Sequence, residues 1–229
     1  MPNHPSAVEH PEIIDEYIQK ELVAGRFRGP FTKEDMELIM QGPFISSPFI
    51  VSEQDQGPGL PPKFRVCRNL SKETKEHPAV NSFIKKDQFP TRFDTAVKIA
   101  EVVAIAPPGT MACTMDIAKF HRTCPVLPHH KPFLVVQGRP GEFYVDQCHP
   151  FGAACASSNA GMISNAIVDI WWELDVKPVF KFEDDFKSLS SPDHYTYTRE
   201  YILGLVADLG TPWHDGDEKG DIEFIFVTI

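Results

Sequence analysis

The sequence predicts an α+β fold of one domain or two closely packed subdomains, and three observations carry that prediction. At 229 residues the chain fits one or two domains of roughly 100–200 residues each. Its 42% hydrophobic and 24% charged residues are an ordinary globular balance, which excludes wholesale disorder. From Met111 onward the patterns run strand, hairpin, helix, hairpin, helix, strand, a split βαβ order. Twenty-one prolines, about 9% against a usual ~5%, add interrupted elements and long shaped loops.

Residues 11–24 place Ile14, Tyr17, Ile18 and Leu22 on one helical face, and Gly25 stops that helix. Thr32 is the expected N-cap of a second helix, with Asp35 three residues on and Gly42-Pro43 as its close. Residues 43–62 are rich in Pro, Gly, Ser and Gln and read as loop. A strand carrying basic side chains is expected over 62–68, and an apolar-faced helix over 93–105 up to Pro107-Pro108-Gly109. MACTMD (111–116) is a short apolar strand ending in a carboxylate. Residues 131–147 form a hairpin around Gly138-Arg139-Pro140-Gly141. Residues 153–174 make a long helix, small-residue rich in its first half. Residues 179–189 are a second hairpin, Ser191-Pro192-Asp193 opens a helix running to Leu209, and EFIFVTI (223–229) is a final strand.

Composition narrows the partners. No apolar run approaches the ~18–20 residues of a membrane span, and residues 1–10 lack a signal-peptide pattern. Five cysteines form no CxxC pair, which reads as reduced thiols in an intracellular protein, in cytoplasm or nucleus. Scattered histidines and cysteines between 121 and 149 lack the paired spacing of structural zinc sites. The formal net charge is -10, yet residues 63–98 hold nine Lys/Arg against four acids, and residues 172–229 hold five against thirteen. A basic block and an acidic block suit a protein that grips phosphates in one place and cations in another.

Phe182-Glu183-Asp184-Asp185-Phe186 is the sharpest local feature. Neighbouring strand side chains point to opposite faces, so Asp184 and Asp185 converge only at a tight turn. Two like charges about 4 Å apart repel by roughly 4 kcal/mol at an effective dielectric near 20, so a proton or a cation must relieve them. Asp116, at the end of an apolar strand, completes a layout that fits two magnesium ions; alone, an acidic hairpin tip is also what a solvated turn looks like. His149-Pro150-Phe151-Gly152 leads into a small-residue helix start, which serves either close ligand approach or close packing. Tyr144-Val145-Asp146 has no second Asp and reads as an ordinary hairpin strand.

In their order and spacing, MDIAKFHRTCPVLP, HPFGAACASS and KFEDDF resemble motifs A, B and C of a reverse transcriptase palm. The wording is most similar to reverse transcriptases of tyrosine-recombinase (DIRS-type) retrotransposons. PPKFRVCRNLS and AVNSFI resemble that family's fingers, and LGTPWHDGDEKG its motif D. The resemblance spans roughly residues 10–229. It implies reverse-transcriptase-like fingers and palm, the palm a ferredoxin-like antiparallel sheet with helices on one face. Residues 1–110 would hold N-terminal helices and fingers, and 111–229 the palm with motifs A to D, truncated so that the thumb is missing.

The implied activity is RNA-directed DNA synthesis, with deoxynucleoside triphosphates and a primer-template as partners and two Mg²⁺ ions (Mn²⁺ as a substitute) as cofactors. Carried over by motif, Asp116 and Asp184 ligate both metals, with Asp185 in support and main chain at Ile117 beside them. Lys63 and Arg65 meet the triphosphate. Ile117, Ala118, Phe151 and Gly152 line the nucleotide pocket, and Lys219 offers a proton to the leaving pyrophosphate. The chain departs from the family in four places. His121 stands where many relatives carry the aromatic residue that excludes a 2′-hydroxyl, Phe120 stands where a small residue is usual, Phe182 replaces a common Tyr, and Glu183 adds an acid. Two other readings stay open: a truncated, non-catalytic nucleic-acid-binding remnant, and a small metal-dependent phosphohydrolase using the same aspartates.

Overall fold

A computed structural model describes residues 1–192, 198–214 and the backbone of 225–226. In chain order its first elements are α1 (Pro5–Glu9), α2 (Pro11–Val23), β1 (Phe27–Phe31), α3 (Lys33–Met40), β2 (Phe49–Gln54), β3 (Lys63–Arg68), α4 (Ala96–Ile105) and β4 (Met111–Asp116). They are followed by β5 (Val135–Gln137), β6 (Phe143–Asp146), α5 (Ala156–Glu173), β7 (Val179–Phe182), β8 (Asp185–Ser190), α6 (Arg199–Gly204) and β9 (Ile225–Phe226). The chain divides into two compact units, residues 1–88 with 124–156, and residues 89–123 with 157–229. That division departs from a cut at residue 110, because the chain leaves the second unit after Thr123 and returns to the first.

In the first unit, α2 buries Ile14 and Ile18 and half-buries Tyr17 and Leu22, the face its periodicity marks. Phe27, Phe49, Val136 and Tyr144 complete that core, with the Tyr17 ring edge-on to Phe27 at 6.0 Å and to Phe49 at 5.8 Å. Thr32 caps α3 by accepting the Asp35 N–H at 3.1 Å. Gln41, in the left-handed region at φ 58°, ends that helix one residue before Gly42. Two strands differ from the sequence reading. β1 contains Gly29-Pro30, a turn-like pair, yet it pairs antiparallel with β6 across a bulge. β2 lies inside the stretch read as loop and pairs with β3 from Phe49↔Arg68 to Gln54↔Lys63. The 131–147 hairpin narrows to β5 and β6, and it joins β1 in its own three-stranded sheet rather than the sheet of β4. Pairing of β6 with β1 draws it there.

In the second unit the sheet order is β7-β8-β4-β9, antiparallel throughout. Alternation along β4 and β8 sets one face, Cys113, Met115, Phe186 and Ser188, fully inward. On that side Trp171 of α5 meets Phe186 edge-on at 5.4 Å and donates from Nε1 to the Ile202 carbonyl at 2.9 Å. The helix expected from Ser191 to Leu209 is shorter. Pro192 stands in a turn, Asp193 lies outside the described residues, and α6 starts where Thr198 supplies a cap, accepting the Tyr201 N–H at 3.2 Å. Of the expected final strand only Ile225–Phe226 is described, paired with Ala112 and Met111. Among the described residues no helix is long and apolar enough to cross a membrane.

Candidate active site

The carboxylates meet through strand register. β4 and β8 pair from Met111↔Ser190 to Asp116↔Asp185, so the two aspartates stand directly opposite at the end of the ladder. Residues so placed share a face and have Cβ atoms roughly 4.5–5.5 Å apart. Beyond that pair the Ile117 N–H donates to the Asp184 carbonyl at 3.0 Å. Asp184 belongs to the two-residue connection Glu183–Asp184, since Phe182 pairs with Asp185. Glu183 takes φ 53° there, a left-handed conformation that costs a side-chain-bearing residue about 1–2 kcal/mol. The Ser157 hydroxyl, in the first turn of α5, donates to its Oε1 at 2.5 Å.

Like charges opposite one another destabilise a sheet, and each aspartate has a cationic or ionisable neighbour. The Lys187 ammonium donates to Asp185 Oδ2 at 2.5 Å, from two residues along the same strand face. His214 Nε2 lies 3.7 Å from Asp116 Oδ1, and the His214 N–H donates to the Asp116 carbonyl at 3.0 Å. The Ala118 N–H donates to the Pro212 carbonyl at 2.8 Å, and Ile117 bridges Trp213. Residues 212–214 thus fasten the segment that carries Asp116, Ile117 and Ala118. His121 is buried in a 3-10 turn after them; burial pulls its imidazole below the usual value, and the Glu183 carboxylate opposes that.

These residues fit a hard divalent cation in kind. Mg²⁺ takes one or two protein carboxylates and fills its octahedron with water and substrate phosphates. Asp116 and Asp185 supply two such oxygens at one register position. Among the described residues no three His, Cys, Asp or Glu side chains are gathered to enclose an ion, so a cation at Asp116 and Asp185 would need further ligands from Asp184 at the hairpin tip, main chain, water or substrate.

The other sequence-selected residues belong to different places. Lys63 and Arg65 stand exposed on β3, two apart and therefore on one face of the β2–β3 ribbon. Phe151 and Gly152 are exposed in the loop before α5. All four belong to the first unit, and Asp116, Ile117, Ala118, His121, Asp184 and Asp185 to the second. Lys219 lies outside the described residues. Sequence reasoning singled out neither Lys187, Ser157 nor His214. Lys187 was findable, because a residue two along a strand shares a face with its neighbour.

No protein-family model matches the chain, and no curated protein is similar to it by sequence. Its backbone is similar to solved structures of a viral enzyme. Against the native prototype foamy virus protease-reverse transcriptase the TM-score is 0.52 at 16% identity, covering 92% of this chain and 22% of that one. Against the foamy viral protease-reverse transcriptase dRH in complex with double-stranded DNA it is 0.57 at 14%, covering 93% and 31%. Against the same enzyme with an RNA/DNA hybrid it is 0.56 at 13%, covering 91% and 23%. The chain spans less than a third of the length of each of these. At such identities the likeness concerns the backbone, and the chain has a reverse-transcriptase-like fold of helices and antiparallel sheets.

Proposed function

We propose that this chain is the fingers-and-palm part of an RNA-directed DNA polymerase from a retrotransposon of the tyrosine-recombinase type, acting inside the cell on a primer-template. One observation carries the reading: the strand register that sets Asp116 opposite Asp185, with Asp184 beside them at the hairpin tip. In this reading Asp116, Asp184 and Asp185, with main chain at Ile117, hold two Mg²⁺. Two Mg²⁺ held there would supply charge neutralisation on the triphosphate and a more nucleophilic primer 3′-hydroxyl. Arg65 and Lys63 bind the triphosphate, the guanidinium through paired contacts to phosphate oxygens. Ala118, His121, Phe151 and Gly152 shape the nucleotide pocket, and Lys219 protonates the departing pyrophosphate.

Primer extension on an RNA template with Mg²⁺ or Mn²⁺ tests this directly. Extension by the wild type that disappears in an Asp116→Asn, Asp184→Asn double variant is the expected outcome for a polymerase. Absence of extension would overturn it. A second reading, a nucleic-acid-binding module without chemistry, draws on the Lys187–Asp185 ion pair, which engages one of the three carboxylates. It predicts primer-template binding with no extension.

A further inference from the structure

The loop between β6 and α5 carries a thiol and an imidazole that the polymerase reading does not use. Cys155 Sγ lies 3.4 Å from His149 Nε2. On the other side of that ring, Nδ1 lies 3.3 Å from the Pro150 carbonyl oxygen. A carbonyl only accepts, so the proton on this imidazole sits at Nδ1 and Nε2 accepts from the thiol. Nucleophile, base and orienting group are thereby in line.

The backbone holds the pair in place. Asn81 donates from its side-chain amide to the Gly152 carbonyl at 3.0 Å and accepts the Ala154 N–H at 2.9 Å, gripping the loop between the two residues. The His149 N–H donates to the Cys124 carbonyl at 2.8 Å. Cys155 directly precedes the first turn of the 18-residue α5, where unpaired backbone N–H groups favour negative charge. It is half-buried, unlike the fully enclosed Cys113.

We propose that Cys155 and His149 form an activated thiol site that reacts with hydrogen peroxide and with soft alkylating electrophiles. With peroxide, the sulfur attacks one oxygen and the O–O bond breaks. The thiol is oxidised by two electrons to a sulfenic acid. The other oxygen leaves as hydroxide and takes the proton held by His149, forming water. With iodoacetamide a C–S bond forms, iodide leaves, and the thiol proton passes to His149. The site does not depend on polymerase chemistry.

The test is competitive labelling of the folded full-length chain with limiting iodoacetamide, each of the five cysteines being quantified by peptide mass spectrometry. Cys155 is expected to react about tenfold or more faster than the half-buried Cys67, Cys124 and Cys148. Cys113 should be slowest, because burial leaves it inaccessible and pushes its thiol up to about 11. His149→Gln should bring Cys155 down to the rate of the others and leave Cys67 unchanged. Peroxide followed by dimedone should tag Cys155 in the wild type and nothing at that position in Cys155→Ser. A Cys155 no faster than Cys67 would overturn the proposal, as would an undiminished rate in His149→Gln. If that variant alters Cys67 labelling or melts early, the ranking within the wild-type protein decides alone.

Discussion

Replacing Lys181 by methionine should stabilise the second unit. Lys181 lies on β7 with 3% of its surface exposed, and its ammonium has no hydrogen-bond partner among the described residues. Burial, reinforced by Arg92, pulls its pKa down, while Asp94, Asp169 and Glu183 pull it up. A buried donor left unsatisfied costs about 1–3 kcal/mol. Against that stands one favourable contact, the ammonium 5.7 Å from the centre of the Phe93 ring, worth about 0.5–1 kcal/mol. Methionine keeps the unbranched stem. The backbone exchange with Asp94, whose N–H donates to the Lys181 carbonyl and whose carboxylate accepts the Lys181 N–H, both at 2.9 Å, is untouched. The net is a gain of about 1 kcal/mol, or about 2–4 °C in melting temperature. A depressed lysine binds fewer protons folded than unfolded, so its penalty fades as pH rises from the lowered folded value toward the ordinary ~10.4. The advantage of Lys181→Met should therefore be largest at pH 7 and shrink in alkali, as thermal denaturation across pH would read out. A variant that melts several degrees below the wild type would mean that the amine is satisfied and the reasoning fails.

Two further variants probe the surroundings. Asp146 is fully buried against Arg68 and also accepts the Cys148 N–H at 3.1 Å; Asp146→Asn leaves a buried guanidinium uncompensated. The loss should be about 3–5 kcal/mol, seen as a fall of roughly 10 °C in melting temperature, and a fall under about 2 °C would contradict it. His121, held below its usual pKa by burial, stays neutral while the unfolded chain protonates. Its stability contribution is therefore complete above pH ~6.5 and lost as pH falls through the lowered value, so His121→Gln should flatten the pH dependence of the melting temperature below about pH 6.5.

The second unit was the more legible part of the fold, for a physical reason. The strands of MACTMD and VFKFEDDFKSL bury Cys113, Met115, Val179 and Phe186, so part of their periodicity is imposed by burial and survives in the sequence. β1 and β2 were missed because local signals point elsewhere: Gly29-Pro30 reads as a turn, and β2 runs into the polar Ser52, Glu53 and Gln54. Both are strands by virtue of their partners: β1 pairs with the distant β6, and β2 with β3 across the 55–62 loop, and neither pairing shows in the strand's own residues. The same cause moved the 131–147 hairpin into the first unit.

At the candidate site the carboxylates were readable and their neighbours were not. Asp116 ends an apolar strand and Glu183-Asp184-Asp185 turns a hairpin, both one-dimensional features. The register that joins them follows from three constraints. The inner face of β8 has to be Phe186, Ser188 and Ser190, and that of β4 Cys113 and Met115. The Glu183–Asp184 connection is only two residues long, so Phe182 must face Asp185. A slip of one residue would move every inward side chain to the opposite face. Asp116 stands opposite Asp185 because the neighbouring Met115 and Phe186 pair and are both fully buried, and that burial outweighs the repulsion between the two carboxylates. His214 and Ser157 belong to no such pattern. They reach Asp116 and Glu183 only after the strand and helix that carry them are in place, so a reading of local patterns finds the acids and misses what holds them.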